Sequence, residues 1–428
     1  MAGRGMDTVL ADSLKKAVRS GGWDATRDIL NLHPYALTAR FPLTGRTILH
    51  VAVAAQKENI VQNLVDMMSE PADLAIQDYK GYTALHETTY RDNSRMAKFL
   101  ITKNNSLIRI RTFSKELPVV MAMRYGQKKL ASYLCPLTPS GDLEAEQGHQ
   151  GSALLTYAIY ARHFDFAMDL IHHCPSSASP SLDLTNSLSP WNALATFQMT
   201  ENQLILWEVT INGLILQYIP ILASWRQSAL RYLSRIVRAD HHPPDRPGYH
   251  SFITAFLTVL LERLLGRELE NNSFQDLLSH ICTEIRTFTQ SQVDSTIVPA
   301  IFCAISRGNF EFVSSMLKAN PEFLLIRNSE GMSIFQCAVL HRQAKICSLI
   351  YELEGVEALL AERDKSGNTI LHLAGMLTEH TPIYDQIAGA ALQMRREVQW
   401  FKDVESICLP ITRELLNDQG LTPRQVDG

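Results

Sequence analysis

The chain has 428 residues, 46% hydrophobic and 20% charged, with a formal net charge of −4. That is the composition of a folded soluble protein with ample apolar material for a continuous core. Its slight negative balance gives no electrostatic case for nucleic acid or an anionic membrane as partner. Seven scattered cysteines without a CxxC spacing speak against a disulfide framework and for a reducing compartment. The residues from Met1 to Asp7 lead into no apolar run of signal-peptide type.

Leu14 to Leu30 reads as an N-terminal helix pair with a weak motif, as expected of a cap. The phrase Gly45-Arg46-Thr47-Ile48-Leu49-His50 then returns 36 residues later as Gly81-Tyr82-Thr83-Ala84-Leu85-His86, and again as Gly367-Asn368-Thr369-Ile370-Leu371-His372. A fixed period in the thirties means stacked units, none able to bury its own apolar face. In each, a short apolar helix, a polar turn and a second helix follow the phrase. Ile60, Val61, Leu64, Val65 and Met68 fall at helical spacing in one copy, and Met96, Ala97, Phe99 and Leu100 in the next. A fourth, degenerate unit opens at Glu116-Leu117-Pro118, with proline where a first-turn N–H has no partner anyway. The polar, acidic stretch from Ser140 to Gln150 predicts a loop, and a fifth unit runs from Gly151 to Pro175.

Beyond Pro175 the period fades, with Trp191 to Ala195 as the start of a partial repeat. Apolar helices are expected around 204–238 and 249–266, split by a proline-rich loop near 241–248. The longest apolar run, Leu204 to Trp225, is interrupted by Glu208, Asn212, Gln217 and Pro220, so buried packing accounts for it better than a membrane span. Repeats resume at Val298, at Gly331-Met332-Ser333-Ile334 and at Asp364 to Thr369, and Gly420-Leu421-Thr422-Pro423 opens another. The organisation predicted is an all-α repeat solenoid in two blocks: 1–175 with a capping helix pair, a helical insertion over 176–295, and 296–428 ending in an incomplete repeat.

Within the phrase each residue type has a physical task. Thr47, Thr83 and Thr369 suit a helix N-cap, Gly45, Gly81 and Gly367 suit turns with positive φ, and Leu49, Leu85 and Leu371 suit the core. His50, His86 and His372 recur at one place. Stacking sets such rings about 10 Å apart, whereas zinc ligands converge at about 2 Å on one point. The expectation is therefore a ring hydrogen-bonded to turn backbone. The runs His172-His173-Cys174 and His241-His242 have no matching second half of a zinc site. No P-loop, GxGxxG, GxSxG or HExxH occurs, so no enzyme, cofactor or metal is expected.

The Gly-x-Thr-x-Leu-His-x-Ala phrase resembles the ankyrin repeat, strongly at 44–76, 78–110, 331–352 and 364–376. Ile48, Ala84, Ile334 and Ile370 stand where that family usually has proline. Leu74-Ala75-Ile76-Gln77-Asp78, Asn105-Ser106-Leu107, Leu117-Pro118-Val119 and Gln399-Trp400-Phe401 are similar to plant ankyrin-repeat membrane proteins carrying a C-terminal PGG domain. That resemblance implies stress or defence signalling. Such proteins continue from a phrase like Gly420 to Pro423 into transmembrane helices, which are absent from this sequence, so a truncated or soluble relative is one reading. A cytoplasmic location is expected for this chain, and the resemblance implies a plasma-membrane or other membrane periphery as the alternative, reached through partners or the 204–265 helices.

Ankyrin-type stacks present turn tips and first helices to partners. The function expected is a protein-binding scaffold, and the contact residues are those the fold does not require. These are Arg46, Tyr79, Lys80, Tyr82, Glu87, Tyr90 and Arg91 in the early block, and Glu330, Met332, Gln336, Lys365 and Asn368 in the late one. Tyrosine and arginine dominate binding hot spots, which favours the Tyr79 to Arg91 cluster.

Overall fold

The computed structural model describes residues 7–90, 93–179, 189–197, 272–352, 356–376 and 390–426. Contacts divide the chain into two bodies, 1–197 with 274–428, and 198–273. Of the second body only residues 272 and 273 are described. The helices expected at 204–238 and 249–266, and the loop near 241–248, therefore lie outside the described residues.

The first body is an all-α solenoid in which nine helix pairs follow one another among the described residues. The pairs are Thr8–Ser20 with Trp23–Leu32, Ile48–Ala54 with Glu58–Met67, Ala84–Thr88 with Ser94–Lys103, Pro118–Arg124 with Lys128–Leu134, and Ser140–Tyr160 with Phe164–His173. Then come Pro190–Thr196 with helical residues 274–284, Val298–Arg307 with Phe310–Ala319, Ile334–Leu340 with Ala344–Ser348, and Ile370–Gly375 with Ala390–Ile407. First helices pack on first helices along the stack, and second helices pack on one another beside them.

The spacing of apolar residues explains the pairing. In Glu58–Met67, Ile60, Val61, Leu64 and Val65 are buried on one stripe. The short first helices bury nearly every residue: Ile48, Leu49, His50, Val51, Ala52 and Val53 are all inside. Each large aliphatic chain removed from water there contributes about 2 kcal/mol, set against the entropy of ordering it. Thr47, Thr83 and Thr369 sit at the N-caps with extended backbone, as their position in the phrase implies.

The structure revises three expectations. Residues 140–150 are helix, not loop. The helix starts after Pro139, carries Asp142 in its first turn and buries Leu143 and Gln150, while Gly151 lets it approach Ser177 closely. Second, Trp191 to Ala195 is not a fragment. Phe197 at the end of that helix stacks on Phe274 with ring centroids 4.4 Å apart, so the chain rejoins where it left. Third, the segment expected as an insertion over 176–295 is therefore narrower. Residues 189–197 and 274–295 belong to the stack as a sixth repeat, and the long segment separates that repeat's two helices.

Asn309 strengthens this joint. Its Oδ1 caps its own helix by accepting from Phe312 N–H, while Nδ2 faces the carbonyls of Leu194, Ala195 and Phe197 at 2.9, 3.2 and 2.9 Å. Repeat nine is built similarly. Arg342, at φ +59°, donates to the Leu373 and Met376 carbonyls and pairs with Glu397 at 2.8 Å. Its counterpart Arg162, at φ +58°, lies 4.9 Å over the Phe197 ring.

Candidate partner-binding surface

Consecutive repeats are joined by backbone fingers that precede each first helix. Asp78 N–H donates to Tyr82 O, Asn328 N–H to Met332 O, Asp364 N–H to Asn368 O and Asn417 N–H to Leu421 O. In each, the Asx side-chain oxygen accepts two further N–H groups, from Lys80 and Tyr82, Glu330 and Met332, Ser366 and Asn368, or Gln419 and Leu421. This Asx turn holds the finger in shape. Thr112 does the same with its hydroxyl, accepting from Glu116 N–H.

Neighbouring fingers then bond to one another. Tyr79 N–H donates to Thr44 O, Phe113 N–H to Lys80 O, Lys365 N–H to Glu330 O and Asp418 N–H to Ser366 O. The donor residue's side chain lies over the glycine of the preceding finger. A Cβ on Gly45, at φ +69°, would stand 2.5 Å from the Tyr79 ring. Gly81 meets Phe113, Gly331 meets Lys365 and Gly367 meets Asp418 in the same manner. These glycines thus serve both a left-handed backbone and a close approach.

The recurring histidines complete the joint. The Thr47 N–H and hydroxyl both aim at His50 Nδ1, at 3.2 and 2.9 Å, which leaves Nε2 to carry the hydrogen and donate to Tyr82 O of the next finger at 2.8 Å. His372 repeats this with Thr369 and Leu421 O. His86 is held by Thr83 alike, but its Nε2 has no hydrogen-bond partner at the degenerate fourth repeat. Burial pushes the His50 imidazole down to about 4 and His86 to about 3, so both are neutral at pH 7. The ring expected to tie turn backbone therefore ties one repeat to the next.

Against this framework the expected contact residues separate. Tyr79, Lys80 and Tyr90 are exposed, and Tyr82 is partly exposed. Tyr82 and Tyr90 have ring centroids 6.1 Å apart, and Tyr90 continues to Tyr125 at 4.4 Å. Burial, then hydrogen bonding with Tyr125 and Tyr82, holds the Tyr90 phenol above its usual range. Arg46 and Glu87 form an ion pair, and Arg46 Nε lies 3.7 Å from Asp78, so Glu87, only 6% exposed, is internal to the site. Arg91 lies outside the described residues.

In the late block Glu330 and Lys365 are exposed, with Lys365 Nζ donating to Ser329 O at 2.6 Å. Met332 is buried at its finger. Gln336 and Asn368, expected at the surface, are 0% and 4% exposed. Gln336 takes the place of the histidine: Oε1 accepts from Ser333 N–H and Nε2 donates to Glu362 O and Asn368 O. Asn368 is occupied by Asp364 and Asn417. Sequence reasoning missed Tyr125, Leu43 and Phe113. The latter two share the register of Tyr79 ahead of the residue with positive φ, a pattern visible once the fingers are aligned.

Among the described residues no group of three His, Cys, Asp or Glu side chains is placed to hold a metal ion. His172 meets His280 edge-on at 5.2 Å, and His173 bonds the Asp169 carbonyl. Burial pushes the thiols of Cys282, Cys337 and Cys347 up to about 12, which leaves them protonated and unreactive at neutral pH. No helix among the described residues is long and apolar enough to cross a membrane.

The match to a family model agrees with this architecture. Residues 14–112 match the ankyrin-repeats family model in three copies. Over 73 residues, 17% of this chain, the sequence is 38% identical to BTB/POZ domain-containing protein 1 of Schizosaccharomyces pombe, of which the match spans 5%. A chain from the crystal structure of the yeast ribosomal protein Rps3 with its chaperone Yar1 aligns with 30% of this chain and 92% of its own length, at 20% identity and a TM-score of 0.28. The chain contains ankyrin repeats.

Proposed function

We propose that this protein is a non-enzymatic scaffold that binds another protein through the face formed by repeats two to four. The observation that carries this is the run Tyr82–Tyr90–Tyr125, set between charges that are already paired. Arg46 is committed to Glu87 and Asp78, and Arg124 bonds Glu116 at 2.7 Å. Such a surface offers rigid amphipathic rings at low entropic cost. The setting, plant stress or defence signalling beside PGG-domain ankyrin proteins, rests on the resemblance of Leu74 to Asp78 and Gln399 to Phe401 to that group. So does a membrane-peripheral location, whereas a cytoplasmic one rests on the scattered cysteines. The test is the triple substitution Tyr82→Ala, Tyr90→Ala, Tyr125→Ala in affinity purification. Capture of specific partners drops at least about tenfold while the helical signal is retained. Unaltered capture by a folded variant refutes the assignment.

A further inference from the structure

Three fingertips of the early block carry exposed apolar side chains in one register. Leu43, Tyr79 and Phe113 are 90%, 57% and 69% exposed, and each occupies the position that Ser329, Lys365 and Asp418 occupy in the late block. Apolar residues scattered singly on a surface need no explanation. These are not scattered: the inter-finger bonds from Tyr79 N–H to Thr44 O and Phe113 N–H to Lys80 O hold them in a row. Each ring also lies over the glycine of the finger before it, which fixes its direction.

The charges carried by these three fingers are one-sided. Arg40 and Lys80 are exposed and make no ion pair among the described residues. The fingers' acidic groups are consumed: Asp78 is buried, accepts two backbone N–H groups and faces Arg46, while Glu116 pairs with Arg124. The chain as a whole is negative, at −4, yet this edge presents cations and apolar groups together.

We infer that the row Leu43–Tyr79–Phe113, with Arg40 and Lys80, is a docking edge for an acidic protein segment that carries apolar side chains. The inference rests on the scaffold reading and names the chemistry of the partner. Complementary charge steers the segment, and the apolar contacts hold it. A single-stranded nucleic acid is the other ligand that pairs aromatics with cations. It fits less well, because two cations neutralise few phosphates and each ring has one face turned to a glycine.

The experiment uses the full chain and fluorescent synthetic peptides. One alternates Glu with Leu and Phe, a second replaces Glu by Lys, and a third replaces Leu and Phe by Ser. An oligouridine serves as the nucleic-acid probe. The acidic apolar peptide binds at least about tenfold tighter than either control or the oligouridine. Lys80→Glu with Arg40→Glu weakens it by a similar factor, as does Leu43→Ser, Tyr79→Ser, Phe113→Ser. The charge variant touches no packed residue and keeps the test intact if the triple variant fails to fold. Equal binding of the Lys peptide, tighter binding of the oligouridine, or insensitivity to Lys80→Glu overturns the inference. Partner capture that falls with the tyrosine substitutions while the peptides show no preference overturns this edge alone and leaves the scaffold reading standing.

Discussion

Repeats two to four and repeats eight to nine are joined by the same atoms and faced with different side chains. In both, an Asx or Thr side chain shapes the finger, a glycine at positive φ receives the next finger, and a buried side chain spans to a carbonyl of the following repeat. The residue laid over the glycine differs: Tyr79 over Gly45 and Phe113 over Gly81 at one end, Lys365 over Gly331 and Asp418 over Gly367 at the other. The joint constrains the backbone of that residue and leaves its side chain open, so one position carries assembly and recognition together. A second contrast lies in the spanning groups of repeats two and eight: His50 is an imidazole whose pKa burial lowers, whereas Gln336 does the same work without an ionisable group.

The largest expected break in this symmetry is at Arg342, whose charge is buried among the Val339, Leu340, Leu373 and Met376 carbonyls and Glu397. Arg342→Ala destabilises the late block by about 3–5 kcal/mol, because it strands Glu397 and several carbonyls. Hydrogen exchange resolved by peptide shows that loss in 334–376 while repeats two to four stay protected. Uniform loosening along the chain contradicts local clamping.

Acidification should next separate the early histidine-bearing repeats from repeat eight, where Gln336 takes the histidine's place. The folded pKa values of His50 and His86 lie below the ordinary 6.5, so the stability they confer is complete above that value and is lost as pH falls towards 4 and 3. Between pH 7 and pH 5 that amounts to about 2 kcal/mol per histidine. Denaturant titrations at the two pH values, read by exchange in 48–54 and 84–88 against 334–340, give the comparison. Equal loss in both sets would show that histidine is not the sensitive group.

Gly81→Ala follows, at about 2–3 kcal/mol, since a Cβ there meets Phe113 backbone as well as requiring positive φ. Gly126→Ala, at φ +73° with nothing within 4 Å, should cost about 1 kcal/mol. Equal costs in thermal melts would mean that finger contact adds nothing to the backbone term. Smallest is Gln336→His, expected within about 0.5 kcal/mol at pH 7, because both side chains offer one acceptor and one donor on this path. A loss above 1 kcal/mol, judged on the usual scale of a hydrogen bond, would separate the two kinds of joint.

Much of this was legible in the sequence. Thr, Leu and His at fixed places gave the caps, the core and the tie, and the early tyrosines stood out because the phrase does not require them. Gln336 was misjudged for a physical reason: an amide supplies the same two hydrogen bonds as an imidazole, and identity of residue was read instead of capacity. Asn368 looked like a surface residue because its partner, Asn417, comes from a finger 49 residues later. Residues 140–150 looked like a loop because their polar composition hid a buried Leu143 and Gln150. Only the first helix of repeat six, at Trp191 to Ala195, was legible; its second was invisible to periodicity, since Phe197 and Phe274 meet across a segment no fixed period can span.

That meeting of Phe197 and Phe274 has a consequence for how such a chain grows. Closing a fully flexible segment as long as 198–273, in place of a turn of a few residues, would cost only about 2–3 kcal/mol, since the penalty rises with the logarithm of length. The cluster of Phe164, Phe197 and Phe274, with Asn309 across three carbonyls, is of a size to offset it. The gap between a repeat's two helices is therefore a port, and what is threaded through it leaves the register of the neighbours untouched. Repeat nine, with Arg342 at its rim, has a second one. Lengthening by whole repeats must satisfy a new joint at every step, whereas lengthening through a port need satisfy only the seal.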